Sequence, residues 1–419
     1  MTASVTSSRA YAAYILGTGF FLYAFVQRVS PSVMTGELMR EFNADGTTIG
    51  ALSSMYFYTY AAIQIPVGVL IDRYGPRKLL AMSAVVSAVA SLGFALSPSV
   101  FAASISRAFI GASVAFAFVG TLSIASTFFK PARFAMLAGI LLAVGMAGAI
   151  VGQAPLRLLV ELTGWRGSYY VLALWALVMS ALAWLVIPSR PLRAATADTV
   201  DRPMIAWPVF SNLQTWVCGG IGFGLTAVML AFGGLWSVPW LTTVYGLPTA
   251  DASLLTSTMF IGWMIGSPIA GWLSDRIQRR KPVLIAGALL SLLSFAIIIL
   301  LPELSRPSLS ALYFLSGLGG GCMVVCFGLV REWNTPKGNA TAIGFANMCV
   351  VASGALLQPL VGRMLDNRWQ GAVNEGVRQY PADAFQAAFI VLLVVLFAAN
   401  LCIGLVKESY CQAQVIDHN

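Results

Sequence analysis

Gly68-Val-Leu-Ile-Asp72-Arg73-Tyr-Gly75-Pro-Arg77-Lys78 closes one long apolar run of this chain, and Gly271-Trp-Leu-Ser-Asp275-Arg276-Ile-Gln278-Arg279-Arg280-Lys281 closes another. The two strings lie 203 residues apart in a chain of 419. A charged loop repeated at half-chain spacing, inside sequence otherwise suited to lipid, indicates two similar membrane halves.

Composition agrees, with 58% of residues hydrophobic and 10% charged, against roughly 25% charged in ordinary soluble domains. Runs of about 20 apolar residues recur, each able to cross a hydrocarbon core about 30 Å thick as a helix. Working outward from the two loops, twelve can be drawn: 11–36, 47–71, 77–97, 99–129, 134–160, 166–187, then 211–241, 250–274, 281–301, 308–331, 338–365 and 383–406. The expected fold is an all-α membrane protein of twelve transmembrane helices in two pseudo-symmetric six-helix bundles. Residues 1–188 form the first bundle, 189–206 a polar linker holding Pro191 and Pro203, and 207–419 the second. Arg9 precedes the first run, but that run is too long for a cleaved signal peptide and offers no small-residue cleavage site.

Of the 25 Lys and Arg residues, sixteen fall in the terminal segments and loops on one side of these spans and seven on the other. The positive-inside bias therefore places both termini in the cytoplasm and the chain, multi-pass, in the cytoplasmic (inner) membrane. The formal charge of +9 is spread over these loops and forms no single basic stripe, so no nucleic-acid partner is expected. Five of the six cysteines lie in predicted spans and the single histidine is His418, so no zinc set can be assembled and no cofactor is expected. With no histidine in the core, no paired carboxylates in a span and no phosphate-cradling glycine loop after a strand, an enzyme is not expected either.

The duplicated string resembles the signature loop between the second and third helices of the major facilitator superfamily, with its glycine, Asp-Arg pair, second glycine and closing basic pair. The second copy carries Gln278 where the second glycine would be. The resemblance implies secondary transport by alternating access. An acid beside an arginine at a helix end can form a charge pair with neighbouring helix ends, so Asp72, Arg73 and Arg77, with Asp275 and Arg276, are expected to act as breakable latches between the bundles.

Two arginines fall inside spans, where a charge costs about 2.5–3.5 kcal/mol on insertion scales and usually faces a cavity or a partner. Arg28 stands in Phe25-Val-Gln27-Arg28-Val-Ser30-Pro31, where Pro31 should loosen the helix and free a carbonyl. This stretch resembles the first helix of superfamily members that move organic anions, and the seventh span lacks the second arginine that phosphate carriers of the family use. A single guanidinium suits a monocarboxylate or the carboxylate of a zwitterion. The alternative for Arg28 is a structural pair with Glu37 or helix carbonyls. Arg107, in Arg107-Ala-Phe-Ile-Gly111, matches the superfamily's Arg-x-x-x-Gly pattern, which in relatives is tied to proton coupling or bundle packing. No Asp or Glu falls at the middle of a span, which argues against cationic solutes.

Ser53, Tyr56, Tyr60 and Gln64 share one face of the second span, and polar groups in lipid need partners, so that face should look inward. On the seventh span Phe232, Trp236 and Trp240 repeat every four residues; Asn347 and Gln358 lie on the eleventh and Trp263 on the eighth. Together with Gln27, these are expected to line an apolar pocket with a few convergent hydrogen-bonding groups. The expected activity is transport of a small organic anion or zwitterion, the alternative being export of drugs or metabolites on the same scaffold. The expected partners are that solute, a coupling proton or ion and the lipid bilayer, with the protein acting as a monomer.

Overall fold

The computed structural model describes residues 7–129, 131–188, 208–301, 304–335, 339–374 and 376–412; the 189–206 linker lies outside them. In the first half α1 (Ser7–Val29) runs into a 3-10 turn at Ser30–Val33, and α2 (Thr35–Phe42) is a short connecting helix. Then follow α3 (Gly46–Tyr74), α4 (Pro76–Ala95), α5 (Val100–Phe128), α6 (Pro131–Val151) and α7 (Ala154–Val186). Gly164 has φ +72°, which only glycine adopts without strain, and divides α7 in two. The part before it prolongs the fifth span and the part after it is the sixth.

The second half begins with the one-turn α8 (Pro208–Ser211). Its first span is α9 (Leu213–Ala227), a π-helical stretch at Val228–Trp236 and α10 (Ser237–Val244). The remaining spans are α11 (Thr249–Arg276), α12 (Lys281–Leu300), α13 (Arg306–Gly320) continued by α14 (Val324–Glu332), α15 (Asn339–Asn367) and α16 (Ala382–Cys402). A small antiparallel hairpin, β1 (Val373–Asn374) with β2 (Val377–Arg378), pairs Val373 with Arg378. Ten helical stretches among the described residues are long and apolar enough to cross a membrane; α3 and the shorter α6 supply the other two. The chain is thus an all-α, twelve-span, two-bundle membrane protein.

The halves meet chiefly through α3 against α15 and α6 against α11. On the face opposite the duplicated loops, a Cβ on Gly362 would run into the Gly46 carbonyl, so the two backbones cross in direct contact there. This crossing is closed by charge. Asp366 of α15 accepts hydrogen bonds from Gly46 N at 3.0 Å, from Thr47 N and Oγ1 at 2.6 Å each, and from the Tyr380 hydroxyl at 2.6 Å. One half's carboxylate therefore caps the first turn of the other half's helix, where the free N–H groups and the helix dipole favour an anion. Burial raises the Tyr380 phenol well above its usual range and the bond to Asp366 adds to this, so the phenol remains a donor.

Asp45 caps α3 from within its own half, accepting from Thr48 N at 2.8 Å, and lies 3.9 Å from Arg378. Burial pushes its carboxyl up, but the bonds from Thr48 and the Arg378 charge outweigh this and hold it below the usual carboxylate range. Its contribution to closure is therefore present above the ordinary aspartate value and is lost as pH falls through the lowered one.

No such backbone crossing occurs at four glycines toward the signature-loop face. Positions Gly68, Gly139, Gly271 and Gly344, on the second, fifth, eighth and eleventh spans, each have nothing within 4 Å of where a Cβ would stand. Replacing Asp366 by Asn removes the charge from the cap, and hydrogen bonds to charged groups contribute about 1.5–3 kcal/mol each. The D366N variant is expected to shift the population toward opening at the capped face about tenfold or more, measured as a longer distance between spin labels on the far ends of α3 and α15.

Candidate functional site

Pro31 has no N–H, so the Gln27 carbonyl one turn earlier loses its normal helical donor. Two groups replace it. Arg107 Nη1, from α5, donates to the Gln27 carbonyl at 2.7 Å, and Ser30 Oγ donates to the same oxygen at 3.0 Å. The backbone freed by Pro31 thus fixes a fully buried arginine from another helix. Gly111, one turn along α5, lies against the Tyr56 backbone, which brings the Arg107 guanidinium over the Tyr56 ring at 5.2 Å.

Arg28 follows Gln27 and is turned about 100° from it around α1. Its side chain is 7% exposed and sits among aromatic faces: Phe25 at 4.2 Å, Tyr60 at 5.1 Å and Tyr56 at 5.7 Å. Tyr56 and Tyr60 stack nearly parallel at 11°. Among the described residues neither Arg28 nor Arg107 has an ion-pair partner. Arg28 Nε and Arg107 Nε and Nη2 are buried without a hydrogen bond. Glu37, the acid considered for Arg28, pairs instead with Arg157 at 2.5 Å.

The other expected lining residues divide. Gln27 turns its amide away from Arg28 into the first bundle, donating to the Tyr23 hydroxyl at 2.6 Å and Ser91 Oγ at 2.9 Å. Gln358 is fully buried where α15 meets the seventh span: its Nε2 donates to the Leu230 carbonyl at 2.8 Å, its own carbonyl accepts from Trp236 Nε1 at 2.9 Å, and its Oε1 is left unpartnered. Ser53 Oγ and Gln64 Nε2 on α3 are likewise unpartnered. Asn347 is half-buried, about 16 Å along α15 from Gln358, and so stands at a different depth.

Phe232 and Trp240 do not line a central pocket. Phe232 packs on Phe295, Tyr313 and Phe389, and Trp240 on Phe232, Tyr245 and Phe389, inside the second bundle. Aromatic spacing of four fixes a helix face but not which face looks inward, and here the buried side of the bundle took it. Trp263 lies against Gly320, between α11 and α13.

At the signature loops, Asp275 pairs with Arg280 of its own half at 2.6 Å, and Arg280 also holds Glu332 at 2.6 Å. Arg276 lies over its own helix's Trp272 at 5.1 Å, Arg73 over Tyr74 at 5.3 Å and Arg77 over Trp184 at 4.9 Å. The Asp72 side chain lies outside the described residues. The opposite-face cluster of Asp45, Asp366, Arg378 and Tyr380 was not among the expected functional residues. Only the Asp45-Gly-Thr-Thr48 capping pattern signalled it in sequence.

Two bundles joined across a charged far-face cap, with a buried cationic centre in the first, is the layout of a carrier, and comparison with known proteins decides the family. The sequence matches the Major Facilitator Superfamily over residues 16–238 and 221–409. The chain belongs to that superfamily. A gentisate transporter of Corynebacterium glutamicum is 25% identical over 408 residues, covering 91% of this chain and 87% of its own. A probable nitrate/nitrite transporter of Mycobacterium tuberculosis is 26% identical, covering 77% and 81%, and a probable sulfoacetate transporter of Cupriavidus necator 24%, covering 64% and 65%. Among solved structures, a bacterial homologue of the human lysosomal transporter Spinster, in an inward-facing and occupied conformation, superposes with a TM-score of 0.82 at 14% identity over 96% of this chain and 97% of that one. The fold is therefore that of this superfamily of transporters, and no catalytic residue is assigned.

If Arg107 is held by the carbonyl that Pro31 frees, the two positions are energetically coupled. Arg107→Leu is expected to destabilise the protein by about 1.5–3 kcal/mol with Pro31 present, and by roughly 1 kcal/mol less in the Pro31→Ala background, where the N–H of the introduced alanine satisfies Gln27. Thermal unfolding in detergent of the four proteins of this cycle checks it.

Proposed function

We propose that this protein is a secondary active transporter that moves a small carboxylate-bearing organic anion, or a zwitterion, across the cytoplasmic membrane by alternating access, with Arg28 meeting the carboxylate. The carrying observation is a nearly buried guanidinium with no carboxylate partner among the described residues and an unpartnered Nε. A charge so placed favours an anion that supplies the missing partner. The relatives support the sign of the solute: gentisate, nitrate, nitrite and sulfoacetate are all anions.

The halves contribute unequally to this site. At the duplicated-loop offset of 203, the counterpart of Arg28 is Ala231, so one guanidinium faces the solute where phosphate carriers would use two. Tyr56 and Tyr60 wall the solute, Gln64 and Asn347 lie along its path toward the signature-loop face, and Trp236 with Gln358 roofs the site against the capped face. On this reading the basic signature-loop face lies in the cytoplasm, with both termini there, and the Asp366 cap closes the outer side.

Asp72, Arg73, Arg77, Asp275 and Arg276 are then the latches of the other state. The Asp275–Arg280 pair stays within one half, and a change of state at the signature-loop face would bring both loops to new partners. Arg28→Gln keeps length and polarity but removes the charge. Thermal-shift titration with a panel of monocarboxylates should show stabilisation of the wild type that weakens about 100-fold in affinity in R28Q, with R28K intermediate because an ammonium cannot make the bidentate contact. Stabilisation only by neutral sugars or lipophilic cations would overturn the reading.

A further inference from the structure

Arg28 Nε on α1, Ser53 Oγ on α3 and Gln358 Oε1 on α15 are buried polar atoms without a hydrogen-bond partner. Leaving such atoms unpaired is costly, and in a carrier the solute is what can supply the partner. Their chemistry differs. Arg28 Nε can only donate, Gln358 Oε1 can only accept, and the Ser53 hydroxyl can do either. The sense of the Gln358 amide is fixed by its other end: Nε2 donates to the Leu230 carbonyl at 2.8 Å, and a flipped amide would set two carbonyl oxygens against each other.

α3 sets these three groups in order. Tyr56 faces α1, its hydroxyl donating to the Ala24 carbonyl at 3.0 Å, and with Tyr60 it flanks the Arg28 guanidinium at 5.7 and 5.1 Å. Gly50 lies about 9 Å before Tyr56 along the helix. A Cβ there would stand 2.6 Å from the Gln358 carbonyl, so this turn of α3 touches the turn of α15 that carries Gln358. Ser53 stands midway between them, about 60° around the helix from Gly50 on one side and from Tyr56 on the other. It is fully buried and faces the angle between α1 and α15. Its neighbour Ser54 donates to the Gly354 carbonyl at 3.4 Å, one turn before Gln358, which holds the two helices together at this depth.

We propose that the solute is a hydroxy acid whose hydroxyl, remote from its carboxylate, donates to Gln358 Oε1 and accepts from Ser53 Oγ; this rests on Arg28 meeting the carboxylate. A hydroxyl both donates and accepts, so it completes both atoms at once. An ammonium, which only donates, and a carbonyl, which only accepts, do not. An ammonium is further disfavoured because Arg28 and Arg107 lie over the same Tyr56 ring, at 5.7 and 5.2 Å, with no carboxylate partner among the described residues. The separation of about 9 Å between Tyr56 and Gly50 suits roughly four to six atoms between the two polar ends of the solute. One end of such a solute is held by the first half, and the other reaches the second half through Gln358.

Thermal-shift titration of the full chain in detergent with hexanoate, ω-hydroxyhexanoate, ω-aminohexanoate and α-hydroxyhexanoate tests this. The wild type should bind ω-hydroxyhexanoate about tenfold more tightly than hexanoate. The ω-amino acid, and the α-hydroxy acid whose hydroxyl lies beside the carboxylate, should bind no more tightly than hexanoate. Ser53→Ala and Gln358→Met should each reduce the ω-hydroxyhexanoate preference to about threefold or less, whereas a general loss of packing would weaken both acids alike and leave their ratio unchanged. Gln358→Met also gives up the bond to Leu230; should it not fold, Ser53→Ala, whose hydroxyl has no bond to lose, decides alone. Equal affinity of the wild type for hexanoate and ω-hydroxyhexanoate, tighter binding of the ω-amino acid, or a preference unchanged in Ser53→Ala would each overturn the proposal while leaving Arg28 as the carboxylate site. Stabilisation by hexanoate that persists undiminished in Arg28→Gln, or no stabilisation by any of the four acids, would overturn the carboxylate assignment to Arg28 and the proposal with it.

Discussion

Two guanidiniums on membrane-spanning helices, with no carboxylate partner among the described residues, are the constraint around which the first bundle is arranged. Each costs about 2.5–3.5 kcal/mol on insertion scales, and the chain offsets this in different ways. For Arg107 the compensation is the carbonyl of Gln27, available only because Pro31 cannot donate to it. For Arg28 it is three aromatic faces, whose attraction for a cation amounts to about 0.5–2 kcal/mol apiece according to how dry the site is. Tyr56 lies within reach of both, and its hydroxyl donates to the Ala24 carbonyl at 3.0 Å, so α1, α3 and α5 are joined by one small cluster. The proline, both arginines and the tyrosine form a single unit.

The two halves share a fold but divide the work. The first carries both mid-span arginines, and the second carries the Trp236–Gln358 contact and a separate aromatic core around Phe232. Non-α geometry occurs in the same place in both: the 3-10 turn at Ser30–Val33 and the π-helical stretch at Val228–Trp236 fall at equivalent positions of the first and seventh spans. The two irregular stretches touch, and Gln153 Nε2 bridges toward the Gly233 carbonyl at 3.3 Å. Backbone groups released from the regular helical pattern at membrane depth are tolerated because they are buried in protein. The Asp366 cap lies beyond them on the same face, so closure there joins packing, backbone and charge.

Much of the fold was legible in the sequence because the signals are local. Apolar runs of spanning length, a loop repeated at half-chain distance and the asymmetry of Lys and Arg each depend on composition alone. The break at Pro31 and the cost of Arg28 were legible for the same reason. What could not be read was direction around a helix. Gln27 and Arg28 are neighbours in sequence, yet one faces Tyr23 and Ser91 and the other faces Phe25 and Tyr60. Phe232 and Trp240 have the spacing of a lining stripe and serve as bundle core. Pairings across the halves, such as Asp366 with Gly46 and Thr47, join residues some 320 positions apart, and no local pattern encodes them.

The uncompensated charge also bears on how solute binding and conformational change are linked. On the proposed reading, occluding the site over an unpaired guanidinium removes its remaining access to water, and desolvating an unpaired ion costs several kcal/mol. A bound carboxylate changes that balance, since a paired charge can be taken out of water at far lower cost. On the proposed reading, the solute therefore stabilises the occluded state relative to the open one by the difference between burying Arg28 alone and burying it paired. Such differential affinity is what a ligand needs in order to shift a conformational equilibrium. On the same reading the absence of a mid-span carboxylate has a use: an internal partner for Arg28 would make occlusion equally easy with and without cargo, and the coupling between binding and movement would be lost.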